Sequence, residues 1–232
     1  MWKLLILIIF VVFFHKGIAT GSTSLARQND MSGPVSHIME NLVIHTKQVA
    51  DELGSQLSTK IDGTTQTILG DIEVILASAL EQLTEPIIEA QSILSHPECQ
   101  QLLTMEELRE RIDSQLMICT KDLNDLLFAF QNDSDQYTKS LQSGAQQIVD
   151  LPSQCEENDY SFGSITACFI EKISELNHDL ALLLNRASMS IIQTHHLTKQ
   201  STEAALTCAD HVVAQTVEYM DKIMTQCQNN VK

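Results

Sequence analysis

Residues 165–191, ITACFIEKISELNHDLALLLNRASMSI, carry the longest regular apolar pattern of the chain. Its apolar residues recur every three or four positions, which is the spacing of one face of an α-helix. They are Ile165, Phe169, Ile173, Leu176, Leu180, Leu184, Ala187 and Ile191. The pattern lies within a longer stretch, 99–227, that contains all six cysteines of the chain. This stretch predicts a helical domain that is stapled by disulfides.

Three further patterns in 97–228 predict three more helices. In chain order, the first helix begins at Thr104–Glu107, where Thr-x-x-Glu has the spacing of a capping box, and it ends at a polar turn over 131–135. The second helix is expected to stop at Leu151–Pro152, and the fourth follows a turn over 195–201. Four helices joined by short links favour an all-α, up-down-up-down bundle.

The segment 34–96 predicts amphipathic helices that precede this bundle as an arm or hairpin. One apolar stripe runs over 38–61, and a second follows the pattern break at 62–65. A short third helix is expected to begin at Thr84–Pro86, because proline is tolerated in a first turn. The faces opposite these stripes carry Ser, Thr and acidic residues rather than lysine. We therefore expect them to pack on a partner helix, possible self-association included, rather than on lipid.

The first 19 residues predict a signal peptide. A short basic start at Lys3 precedes an apolar run over 4–14, and small residues at 17–19 place the cleavage before Thr20. The apolar run is about half as long as the roughly 20 residues that a membrane-spanning helix needs. The polar segment 20–33 is interpreted as a mobile arm. The chain is therefore expected to be secreted, without an integral membrane segment.

The chain is strongly acidic. It has 14 Lys and Arg against 30 Asp and Glu, a formal net charge of −16. Removal of Lys3 and Lys16 with the signal peptide leaves 12 basic against 30 acidic residues, a net charge of about −18. Such a charge repels phosphate backbones and anionic lipid headgroups, so nucleic acid is not an expected partner.

Aromatic residues are scarce after the signal peptide. No tryptophan remains, and Phe128 is the first aromatic residue. A core of this composition is built from Ile, Leu, Val and Met, which suits helix packing better than a β-sandwich.

Six cysteines in an exported chain imply three disulfides, and fifteen pairings are possible. In an antiparallel helical hairpin, the numbers of facing residues have a constant sum. A turn near Thr198 then places one cysteine of the third helix opposite one of the fourth, and the remaining four are assigned by the ends of the helices at which they lie. The pairs predicted in this way are Cys99–Cys155, Cys119–Cys208 and Cys168–Cys227. Free or metal-bound thiols are the alternative, although the chain has no CxxC pair to support a zinc site.

The residues around four of the cysteines are Gln154-Cys155, Thr166-Ala167-Cys168-Phe169, Ala205-Leu206-Thr207-Cys208 and Gln226-Cys227. Over residues 98–227 this pattern resembles the TsetseEP-type domain family of secreted insect proteins. The resemblance implies secretion into the gut, haemolymph or reproductive fluid of an insect. The resemblance implies no catalytic residues, because members of the family have no established enzymatic activity.

Candidate sites for chemistry are few. His195, His196, Asp210 and His211 are the candidate metal ligands, but their spacing matches no zinc signature, and we expect solvated side chains. The acidic residues of 156–159 are interpreted as loop charges, because no apolar wall would raise a carboxyl pKa. The chain has neither a G-x-S-x-G elbow nor a glycine-rich phosphate loop. No enzymatic activity, cofactor or metal is therefore predicted.

One modification site is predicted. Asn132-Asp133-Ser134 is an N-glycosylation acceptor pattern, which makes the protein a possible glycoprotein at Asn132.

Two functions remain as hypotheses. The first is a non-enzymatic extracellular module that binds another protein or a microbial surface. The second is a carrier that holds a small apolar ligand or lipid between its helices. A hydrolase has no supporting set of residues.

Overall fold

The structure is a computed structural model, and it describes residues 34–95, Cys99, 103–158 and 162–230. The described residues form four helices and no strand. The helices are α1 (Pro34–Leu94), α2 (Met105–Cys119), α3 (Lys121–Asn158) and α4 (Phe162–Asn230). The predicted signal peptide and mobile arm lie outside the described residues. The predicted fold class, an all-α disulfide-stapled helical bundle, is confirmed. The predicted up-down-up-down order of four helices over 97–228 is wrong, because the described residues of this stretch form three helices, α2, α3 and α4.

The chain divides into two compact units, 1–38 and 39–232. Of the first unit, the structure describes only the opening residues of α1. The second unit, 39–232, contains the rest of α1 and the other three helices.

Contacts within this unit set the directions of its helices. Thr64 of α1 hydrogen-bonds His195 of α4, and Asp71 of α1 hydrogen-bonds Thr202 of α4, at the same sequence separation of 131 residues. A constant difference in residue number means that α1 and α4 run parallel. The disulfides from α2 and α3 to α4 keep a nearly constant sum of residue numbers instead. Both helices therefore run antiparallel to α4.

Helices α2 and α3 follow one another across a single residue, Thr120. The backbone N–H of Thr120 donates to the carbonyl of Leu116, and that of Asn124 donates to the carbonyl of Thr120. Both are i to i−4 bonds, so the hydrogen-bond ladder of an α-helix continues through the break. The buried Thr120 hydroxyl also donates to the Leu116 carbonyl, at 3.3 Å. The two helices therefore form one column.

The helix start at Thr104 is confirmed. Its side chain accepts a hydrogen bond from the Glu107 backbone N–H, while the Glu107 carboxylate accepts one from the Thr104 backbone N–H, which completes the capping box. Both residues are exposed. The two bonds satisfy N–H groups that a helix start leaves unpaired.

The predicted break at 62–65 is wrong, because α1 continues through it as one helix. Thr64 is buried and lies in phase with the half-buried Ile61 and the buried Ile68. Its hydroxyl donates to the Lys60 carbonyl, four residues back, at 2.9 Å. A glycine inside a helix costs only about 1 kcal/mol of stability. Burial of nearby residues before and after Gly63 in the sequence offsets this cost. Pro86 also lies inside α1 rather than at a helix start.

The predicted turns at 131–135 and 195–201 are also wrong, and so is the helix end at Pro152. Helix α3 runs to Asn158, and α4 runs unbroken for 69 residues, about 100 Å at 1.5 Å per residue. Neither predicted turn contains a glycine or proline. Buried Thr194 and Thr198 continue the seam of α4 between Ile191 and Ala205, so the helical period is never interrupted.

Two disulfide predictions are wrong and one is confirmed. The structure pairs Cys99 with Cys227, Cys119 with Cys208 and Cys155 with Cys168, with Cα–Cα distances of 5.3, 5.5 and 5.8 Å. The predicted Cys168–Cys227 pair would join two residues of one continuous helix, 59 positions or about 88 Å apart. Cys155 pairs with Cys168 because these two residues flank the true reversal between α3 and α4. Because Cys155 and Cys168 pair with each other, Cys99 pairs with Cys227 rather than with Cys155.

The buried side chains form two separate apolar clusters. The first joins the C-terminal half of α1 (68–94) to α2 and to the C-terminal part of α4 (205–227). The second joins the N-terminal part of α1 to α3 and to the middle of α4, with Phe130, Leu141, Ile148 and Leu180 among its members. Helix α1 therefore packs on the cysteine-bearing helices.

The apolar stripe predicted at the start of α1 is right only in part. Leu57, one of its members, is buried, whereas Leu42 and Val49 are exposed. Ala50 is buried instead, against α3 and α4. Ala50, Leu57 and Thr64 follow a spacing of seven that passes through small side chains, which a count of large apolar residues does not detect.

Candidate functional site

A layer of hydroxyl side chains separates the two apolar clusters. Thr64, Thr194 and Thr198 are buried between the cluster members of α1 and α4. Ser134 of α3 is buried too. It lies between Phe130 and Leu141 of the second cluster, within about one turn of Thr194 in the antiparallel register of α3 and α4. We call these four residues the polar layer. Three of its members lie inside predicted turns, so the apolar periodicity of the sequence does not reveal it.

Two hydrogen bonds join α1 to α4 at this level. The Thr64 hydroxyl donates to the Lys60 carbonyl, so it accepts from Nε2–H of His195 at 3.2 Å. The Thr202 hydroxyl donates to the Asp71 carboxylate at 2.8 Å. These bonds define the relative register of the two parallel helices, because each would be lost if one helix shifted along the other.

Ser134 is the exception in the polar layer. Its Oγ is buried and has no hydrogen-bond partner. A buried hydroxyl without a partner costs about 1–3 kcal/mol. The Thr198 hydroxyl is satisfied within its own helix, where it donates to the Thr194 carbonyl at 2.8 Å. Ser134 therefore weakens the layer, whereas Thr64 adds a bond between α1 and α4.

The predicted metal-ligand candidates are not brought together. His195 bonds Thr64, whereas His211 lies 16 residues along the same helix, about 24 Å away, and hydrogen-bonds Gln215 at 2.9 Å. Among the described residues, no group of three His, Cys, Asp or Glu side chains is placed to hold a metal ion. Of the acidic residues in 156–159, only the side chain of Glu156 is described, half-buried at the end of α3.

An open groove lies between α3 and α4. It has a volume of about 390 Å³, and Leu176, Leu180 and Leu183 line it together with Ser140 and Arg186. The two helices approach closely beside it, since a Cβ on Gly144 would lie 2.7 Å from Cδ2 of Leu180. A side chain at position 144 would therefore force Leu180 to shift.

Large apolar side chains face solvent on the α2–α3 column. Met117 is 64% exposed and Phe128 is 74% exposed. They are 11 residues apart, or three turns, and the continuous ladder through Thr120 keeps them on one face. The buried Leu116 and Leu123 lie about 100–140° around the column from these two side chains, so this face points away from the core.

Hydrogen bonds and ion pairs shift the pKa of a few surface groups. The backbone N–H and then the hydroxyl of Thr104 lower the pKa of Glu107. The hydrogen bond and charge of Asp125 raise the pKa of Lys121, at the first turn of α3. Lys222 lowers the pKa of Glu218 in the same way. All of these groups are exposed and serve helix stability.

The side chain of Asn132 is exposed on α3, whereas the third residue of its acceptor pattern is the buried Ser134.

No described helix is both long and apolar enough to cross a membrane. Comparisons of the chain with family models, curated proteins and solved structures gave no match.

Proposed function

We propose that the protein is a secreted, non-enzymatic helical module that binds another extracellular protein or a microbial surface. The exposed pair Met117 and Phe128 carries this proposal. The two side chains lie about 16 Å apart along one face of the column, and aromatic residues and methionine are enriched at protein interfaces. The face is formed by a helix column that two disulfides join to α4.

Secretion and membership of the TsetseEP-type family belong to the same proposal. The pairing of all six cysteines supports an oxidising compartment, because structural disulfides form and persist there. The resemblance at the cysteines supports an insect extracellular fluid as the site of action.

A site-specific photo-crosslinker tests the binding face. The crosslinker replaces Phe128, and a matched variant carries it at Gln146, an exposed polar position of the same helix. Both proteins are irradiated in the extracellular fluid and with washed microbial cells. Adducts formed from position 128 and absent from position 146 are expected. Equal labelling from both positions, or none from 128, would refute the proposed face.

The carrier is the second candidate, and the groove beside Gly144 favours it. Leucine side chains line it beside polar ones such as Asp179 and Arg186, and its volume of about 390 Å³ falls in the range of small-molecule sites. Native mass spectrometry of the secreted protein distinguishes the two functions: a stoichiometric co-purifying lipid supports a carrier.

A further inference from the structure

The N-terminal half of α1 is held by non-covalent contacts alone. Helix α1 contains no cysteine. Cys99 follows its C-terminal end and is bonded to Cys227 near the end of α4, so that end is covalently tied. The other two disulfides join α2 and α3 to α4. The opposite end of α1 has no such link, although it covers a hairpin that Cys155–Cys168 closes.

Packing differs between the two halves of α1. The segment 39–61 buries only Met39, Ala50 and Leu57. The segment 68–94 buries more and larger side chains, which are Ile68, Ile75, Ala79, Leu83, Ala90 and Leu94. Because burial of one Leu or Ile side chain contributes about 1.5–3 kcal/mol, the first segment is held less strongly than the second.

The polar layer lies between these two halves. Thr64 follows directly after the weakly held segment. Ser134, with its unpartnered hydroxyl, lies about one turn away on α3, within the second cluster. The apolar clusters do not merge across the layer. Separation of the segment 39–61 therefore disrupts one cluster and leaves the other intact, so the layer is a natural boundary between cooperative units.

We propose that residues 39–61 of α1 form a strap that opens from the α3–α4 hairpin as a unit, with the polar layer as its hinge. The segment 68–94 stays docked during this opening. Opening uncovers the apolar seam of the hairpin, which includes Leu141, Ile148 and Leu180. The disulfides retain the hairpin and the C-terminal cluster, so the open form remains folded outside the strap. This inference does not depend on the proposed binding face.

Amide hydrogen exchange of the intact, oxidised protein tests the proposal without any substitution. Amides of the strap are expected to exchange at least about tenfold faster than those of 68–94, with one common opening free energy across the strap. Exchange in 130–148 of α3 is expected to remain slow, because Cys155–Cys168 keeps the hairpin closed. Equal protection along the whole of α1 would overturn the proposal.

A cross-link tests whether the opening is a hinge motion. Thr46 and Asn177 are separated by 131 residues, like Thr64 and His195, and lie 18 residues or five turns earlier on their helices. A disulfide in the Thr46→Cys/Asn177→Cys variant is expected to bring strap exchange to the rate of 68–94. The control Asp71→Cys/Thr202→Cys joins the same helices on the far side of the layer, and it should leave strap exchange fast. Slow strap exchange in both cross-linked proteins would contradict a hinge at the layer.

Ser134→Ala tests the role of the layer, in an Asn132→Gln background so that glycosylation does not differ. Removing the unpartnered hydroxyl is expected to slow strap exchange roughly threefold or more and to leave 68–94 unchanged. Ser140→Ala, at an exposed position of α3, is the matched control and should change neither rate. An unchanged exchange rate of the strap amides in Ser134→Ala would exclude the layer as the hinge.

Discussion

Cys155 is bonded to Cys168 across the reversal between α3 and α4, with 5.8 Å between their Cα atoms. This bridge closes a separation of only 13 residues, whereas Cys119–Cys208 closes one of 89. In the chain-entropy account a longer closed loop restricts the unfolded chain more. The two bridges are therefore expected to contribute unequally to stability.

Removal of each bridge tests this difference. The Cys155→Ser/Cys168→Ser variant should lose about 3 kcal/mol of unfolding free energy, and Cys119→Ser/Cys208→Ser about 4.5 kcal/mol. Urea unfolding of the two variants and the parent protein measures both losses. A larger loss of unfolding free energy in Cys155→Ser/Cys168→Ser than in Cys119→Ser/Cys208→Ser would show that native packing at the reversal, rather than chain entropy, dominates.

Glycine substitutions test the close approach of α3 and α4. Gly144→Ala should be about 1–2 kcal/mol less favourable than an unhindered glycine-to-alanine change in a helix, because the new Cβ would lie 2.7 Å from Cδ2 of the buried Leu180, which must shift. Gly63→Ala is the matched control in α1, where nothing lies within 4 Å of the new atom. It should gain about 0.5–1 kcal/mol from helix propensity. Thermal unfolding distinguishes the two, and a stabilised Gly144→Ala protein would contradict the close approach.

The capping box predicts a pH dependence. Because the folded pKa of Glu107 lies below its ordinary value, the box contributes stability above the ordinary carboxyl pKa and loses it as the pH falls through the folded pKa. Thr104→Ala should raise this pKa only part of the way, since the backbone N–H still donates to the carboxylate. It should also cost about 1 kcal/mol of stability. Carbon-13 chemical shifts of the Glu107 carboxyl group measure the pKa in both proteins. An identical value in both would assign the shift to the backbone alone.

Pro86 predicts a stabilising substitution. It lies inside α1, where it removes one backbone donor and its ring crowds the preceding turn. Pro86→Ala should therefore raise the unfolding free energy by about 1–3 kcal/mol. Urea unfolding measures the gain. A loss of stability would mean that packing of the proline ring outweighs the restored hydrogen bond.

Much of the local structure followed from the sequence alone. The apolar period around Phe169 and Leu180 predicted a helix because the 3.6-residue repeat places those side chains on one face. The Thr104–Glu107 spacing predicted a helix start, since the two side chains must lie one turn apart to exchange their hydrogen bonds. The all-α class and the Cys119–Cys208 bridge followed as well.

Tertiary structure decided where the helices end and hence how the remaining cysteines pair. Polar residues such as Thr64 and Thr198 resemble turn formers locally, yet each helix passes through them because neighbouring helices bury the residues on either side. Continuity of α4 places Cys168 and Cys227 at opposite ends of one helix, so their partners come from other helices. Local sequence determines the propensity of each turn of helix, whereas the free energy that overrides a weak turn comes from long-range packing.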